Sequence, residues 1–109
     1  MNIFHIATAT DWAAAKSAGE YTTSTRGRSL AEEGFIHASR REQVAGVFAS
    51  FYADSEEPLV LLTIDTEQLT VPWSEDPVGN DTYPHLYGPL AVGAVTAVEP
   101  LDRGGPTPS

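Results

Sequence analysis

The sequence contains no cysteine. That single absence excludes disulfides, thiolate zinc sites, iron–sulfur clusters and a cysteine nucleophile. Long apolar runs are missing as well: none approaches the roughly 18 residues of a membrane span, and no basic stretch followed by an apolar core resembles a secretory signal. Basic residues are scarce, with 6 Lys+Arg against 15 Asp+Glu and a formal charge of −9. Such a surface repels phosphate backbones and anionic lipid, so the expected partner is a small molecule and neither a nucleic acid nor a membrane. There is no Walker A loop, Rossmann glycine fingerprint, Gly-x-Ser-x-Gly elbow or HExxH motif. These exclusions leave a cytoplasmic protein whose chemistry must come from other groups.

What is present suits one folded domain: 109 residues, 41% of them hydrophobic, enough to bury roughly 60–70% of the unfolded surface. Residues 1–101 form that domain, and the Gly- and Pro-containing stretch 102–109 is expected to be a disordered tail. Charge is unevenly distributed. The first fifty residues balance Lys16, Arg26, Arg28, Arg40 and Arg41 against five acidic groups, whereas the remainder sets ten acidic residues against Arg103. An anionic ligand would therefore be steered toward the N-terminal half.

Alternation over Asn2–Ala7 predicts a strand with Ile3, His5 and Ala7 on one face. Thr10 and Asp11 are placed to start an alanine-rich helix that Gly19 stops. Tyr21–Arg28, with no apolar period, reads as a mobile surface arm. Ser29-Leu30-Ala31-Glu32 has capping-box spacing, and Gly34 closes its short turn. Phe35–Ser39 reads as extended, and Ser39-Arg40-Arg41-Glu42 as a second box opening a helix to Tyr52, with Val44, Val47, Phe48 and Phe51 buried. The run Leu59–Ile64 predicts a central strand covered on both faces. Ser74–Thr82 reads as a polar loop long enough to act as a lid, and Ala94–Val98 as a final strand.

His5, His37 and His85 all fall in or beside these strands. An imidazole offers one donor and one acceptor and can carry a proton near neutral pH, which suits ribose hydroxyls, phosphates and leaving groups. Satisfied core histidines are the alternative reading. Three histidines could also hold zinc for a hydrolase, but no pair has the short spacing that presents two ligands from one element, so no metal site is assigned. Ser39, Arg40 and Arg41 at a helix start are candidate anion contacts beside His37. Tyr83-Pro84-His85-Leu86-Tyr87-Gly88-Pro89-Leu90 is a rigid aromatic stretch in which Tyr87 is suited to lining a pocket.

Three segments together resemble the DUF952 family: Ile3-Phe4-His5-Ile6, Gly34-Phe35-Ile36-His37-Ala38-Ser39 within the turn that starts at Ser29, and His85-Leu86-Tyr87-Gly88-Pro89-Leu90. The resemblance spans nearly the whole chain before its tail. It implies a small α+β domain with a split, mainly antiparallel sheet and short helices, related in fold to ADP-ribosyltransferases. In that wider group a first-strand histidine holds the NAD ribose, a place His5 matches. His37 stands where a tyrosine is usual, and His85 and Tyr87 stand where a glutamate is common. The resemblance thus implies a cleft for a nucleotide, NAD or ADP-ribose-like ligand, with His5 orienting ribose, His37 or His85 as acid or base, and Arg40 or Arg41 on phosphate. NAD enters as a candidate substrate of a transferase; a noncatalytic metabolite- or peptide-binding domain is the competing class.

Overall fold

The computed structural model describes residues 1–101; the expected tail, 102–109, lies outside them. The chain opens with β1 (Asn2–Thr8) and α1 (Ala9–Ala18), followed by three short strands, β2 (Glu20–Tyr21), β3 (Thr23–Thr25) and β4 (Arg28–Ser29). Next come α2 (Leu30–Glu33), β5 (Ile36–His37), a 3-10 turn over Arg41–Gln43 and α3 (Val44–Phe51). The second half holds β6 (Leu59–Asp65), the hairpin of β7 (Trp73–Val78) and β8 (Asp81–Leu86), then β9 (Leu90–Ala91) and β10 (Val95–Leu101).

Every strand pair is antiparallel. Two three-stranded sheets dominate, ordered β1-β6-β10 and β5-β8-β7, with the pairs β2-β9 and β3-β4 beside them. This is the expected small α+β domain with antiparallel sheets and short helices. The apolar run of β6 takes the centre of the first sheet, where both of its faces can be covered. Leu62 and Ile64 pack with Ile3, Ala7 and the α1 residues Trp12 and Ala15. Leu59 and Leu61 point the other way, to Phe4, Ile6 and the α3 residues Val44 and Phe48. The two sheets meet where Phe4 and Ser39 exchange backbone hydrogen bonds of 2.8 and 2.7 Å.

Several local expectations are corrected. α1 is capped two residues early, because Thr8 Oγ1 accepts from the Asp11 amide, while Gly19, at φ 89°, closes it as expected. Tyr21–Arg28 is no mobile arm: β3 and β4 form a hairpin, Tyr21 and Ser24 are buried, and Arg26 donates to Asp54 at 2.5 Å. Ser29 and Glu32 do form their capping box. Ser39 caps nothing, being held in the bridge to Phe4; the next amide, Arg40 N, instead donates to Gln43 Oε1 at 2.8 Å. At the far end of α3, Phe51 is 55% exposed and Tyr52 takes the buried place.

The expected lid is also a hairpin. Val78 pairs with Asp81 across a Gly79-Asn80 turn, with Gly79 at φ 62° supplying the positive dihedral that such a tight connection requires. The hairpin is also clamped. Arg40 donates to Glu75 at 2.6 Å and to the Thr82 carbonyl at 2.9 Å, and Gln43 Nε2 donates to the same carbonyl at 2.8 Å. After β8, the chain turns at Gly88 against Val71, where a β-carbon would lie 2.6 Å from Val71 Cγ1.

Candidate functional site

β1 carries His5 between the two sheets, and both of its ring nitrogens are engaged. Nδ1 bonds to the His37 carbonyl, which can only accept, so Nδ1 carries the proton. Nε2 is then the acceptor for the Tyr21 hydroxyl at 2.9 Å. Burial holds the imidazole neutral by lowering its pKa to about 4, against the smaller opposing effect of the His37 carbonyl. In this arrangement His5 ties β1 to β5 and β2, with neither nitrogen left over for a ligand.

The sheet β5-β8-β7 has two unlike faces, as strand alternation requires. Ile36, Leu86 and Trp73 turn into the core. On the other face His37 and His85 are register partners with ring centroids 4.7 Å apart and planes at 90°. Phe35 stacks on His85 at 4.0 Å and meets His37 edge-on at 5.0 Å. His85 Nδ1 donates to Asp76 Oδ2 at 2.9 Å, and the Tyr87 hydroxyl donates to the same carboxylate oxygen. Those bonds, with one from Ser74, hold the Asp76 pKa below its ordinary value. His85 is only 3% exposed, and its Nε2 has no hydrogen-bond partner. His37 is half-buried; desolvation first, and the neighbouring His85 second, lower its pKa, while Glu33 opposes.

Beside this face lies a cleft of about 580 Å³. His5, His37 and Ser39 line it from the seam, Ser24, Arg26 and Arg28 from the β3-β4 hairpin, and Val47 and Phe51 from α3. Val78 and Gly79, at the tip of the β7-β8 hairpin, also line it. Ser24 is fully buried, and its hydroxyl is without a partner. Among the described residues, Glu33 is the single carboxylate on the cleft wall, with Arg28 at 3.5 Å. The neighbouring Glu32 is occupied in the capping box, where it accepts the Ser29 amide at 2.9 Å.

Two of the three histidines line the cleft. His5 and His37 reach the cleft, while His85 sits behind His37 and Tyr87 beyond it, half exposed on the Asp76 side. Arg40 and Arg41 lie outside the cleft. Arg40 is engaged by Glu42, Glu75 and Asp81, and the Arg41 guanidinium lies 5.2 Å from the centre of the Phe4 ring. The arginines that do reach it, Arg26 and Arg28, come from the segment read as an arm. Ser24 and Glu33 were missed because a small polar strand and the last turn of a short helix show no apolar period; the Arg26-Gly27 turn was the available signal. Among the described residues, no group of three or more His, Cys, Asp or Glu side chains is arranged to hold a metal ion. Nor is any helix there long and apolar enough to cross a membrane.

Comparison with known proteins agrees with this architecture. A crystal structure of protein CC0527 from Caulobacter crescentus is 32% identical, with a TM-score of 0.83 over 98% of this chain and 94% of that one. The solution NMR structure of CC0527 is 33% identical, with a TM-score of 0.70 over 97% and 91% of the two chains. No curated protein matches. Residues 6–98 match the model of a protein family of unknown function, DUF952. Those residues include His37, His85 and every arginine on the cleft wall, and the chain belongs to the DUF952 family.

Proposed function

We propose that the cleft binds a small anionic ligand of the nucleotide or ADP-ribose class, NAD included, in a cytoplasmic protein with an ADP-ribosyltransferase-like fold. The observation that carries this reading is the Ser24 hydroxyl, fully buried and unpartnered on the same wall as Arg28 and His37. A buried hydroxyl without a hydrogen bond is costly, and a ligand oxygen would relieve it. Arg28, largely exposed and 3.5 Å from Glu33, offers a local place for phosphate on the wall in a protein of net charge −9, beside an Arg26 already held by Asp54. Val47, Phe51 and Val78 supply an apolar side suited to a base. His5 serves this site as a strut, its two bonds keeping His37 and Tyr21 in place.

Calorimetric titration with ADP-ribose, NAD and uncharged adenosine tests the reading. ADP-ribose is expected to bind and adenosine to bind far more weakly, with Ser24→Ala and Arg28→Ala each costing about tenfold in affinity, or about 1.4 kcal/mol. Equal affinities for the charged and uncharged ligands, or no effect of either substitution, would remove the phosphate assignment.

A further inference from the structure

We propose that Gly46 sets what the cleft accepts: the planar ring of the ligand, its nucleobase, lies there against bare α3 backbone, with Phe51 and Val78 beside it. The inference rests on the ligand reading above and names the part of that ligand which α3 holds. Among the described residues, Gly46 is the one glycine inside an α-helix. Glycine gives up more backbone freedom on folding than any other residue and is a poor helix former, so its place here calls for a reason. Two ordinary reasons do not apply. Its φ is not positive; the described glycines with that conformation are Gly19, Gly27, Gly34, Gly79 and Gly88. Nor is it crowded: beyond its own stretch of helix, a β-carbon at Gly46 would find no atom within 4 Å, whereas one at Gly88 would strike Val71. The open space borders the cleft, whose wall includes Gly46.

The neighbouring wall suits a flat apolar group. Val47 stands next to Gly46, and Ser50 and Phe51 follow one turn later, so the four present one face of α3 to the cleft. Phe51 is 55% exposed and Val78, at the tip of the β7-β8 hairpin, 41%. They are two of the five large apolar side chains so exposed among the described residues, and both line this cleft. Arg26 donates to the Phe51 carbonyl at 3.1 Å, which fixes the end of α3 that bears the aromatic ring. A nucleobase seated here would take both side chains out of water, and a flat face gains more from such contact than a puckered sugar does. A methyl group at position 46 would stand where the base must lie. An independent sign of a ligand is Ser24 on the same wall, whose hydroxyl is fully buried and without a partner.

Gly46→Ala tests the seat, because helix propensity and ligand binding pull in opposite directions. The variant should unfold at a higher urea concentration than the wild type, since alanine favours the helix and meets no neighbour. Its affinity for ADP-ribose, measured by calorimetry, should nonetheless fall by about tenfold or more. Ribose 5-phosphate, which keeps a phosphate and lacks the base, should bind wild type and variant alike. In the wild type, the adenine ring protons of bound ADP-ribose should give NOEs to the Gly46 α-protons. Full ADP-ribose affinity in Gly46→Ala overturns the seat and leaves the ligand reading standing, as does an equal loss for ribose 5-phosphate. Should the variant unfold more readily instead, the NOEs decide, and their absence overturns the seat. A wild type that binds no ADP-ribose overturns the ligand reading and the seat with it.

Discussion

In sheet β1-β6-β10, the strands β1 and β6 are covered on both faces, by Trp12 and Ala15 of α1 on one side and by Val44 and Phe48 of α3 on the other. Sheet β5-β8-β7 buries one face and lines the other with Phe35, His37, His85, Tyr87 and Asp76. The first sheet holds the domain together through apolar area. The second makes its contacts through rings and carboxylates, whose hydrogen bonds are nearly balanced by those they would make with water. Concentrating stability in one sheet allows the other to carry groups that a packed core would not tolerate.

Substitutions can break this contrast. The largest effect is expected in the first sheet: Leu62→Ala removes a side chain with 0% exposure at the centre of β6 and should cost about 2–5 kcal/mol, read as a lowered urea midpoint. The seam comes next. His5 has a folded pKa of about 4 against an ordinary 6.5, so between those pH values the unfolded chain binds the extra proton. Its contribution is whole above pH 6.5 and is lost as the pH falls toward 4, amounting to about 3 kcal/mol. Urea titrations across that window should show His5→Asn losing much of the wild-type slope. Tyr21→Phe leaves His5 Nε2 buried without its donor and should cost about 1–3 kcal/mol in the same assay.

Smaller effects sharpen the comparison from the side of the second sheet. Arg40→Ala removes the clamp on Glu75, Asp81 and the Thr82 carbonyl, so amide exchange should quicken along β7 and β8 while β6 amides keep their protection. Arg28→Ala, at an exposed side chain, should move the unfolding free energy by no more than about 0.5 kcal/mol, although the affinity for ADP-ribose falls. An Arg28 variant that unfolds as readily as Leu62→Ala would erase the distinction between the sheets.

The same division explains what could be read in advance. β6 announces itself as a run of Leu, Val and Ile, and α1 is closed by a glycine at the place its pattern requires. β7 and β8 carry Ser74, Glu75, Asp76, Pro77 and Pro84, residues of low strand propensity, and become strands because the hairpin turn, β5 and the Arg40 clamp hold them. The candidate site followed suit. His5 and His37 were legible because their strands were, and His85 because of the aromatic stretch around it, whereas the arginines were assigned to the wrong segment once Ser39 was taken for a cap. Ser39 satisfies the capping pattern locally but is claimed by Phe4, thirty-five residues earlier, a partner that no local pattern can show.

The order of strands also bears on how the chain is made. β1 pairs with β6, and β5 with β8, so in each sheet an early strand must await one from the second half of the chain. During synthesis the first half emerges with Phe4, Ile6, Val44 and Phe48 in search of Leu59 and Leu61. Neither sheet is complete until β8 and β10 have left the ribosome. The domain is therefore set to fold late and nearly all at once, with its cleft assembled in the closing steps.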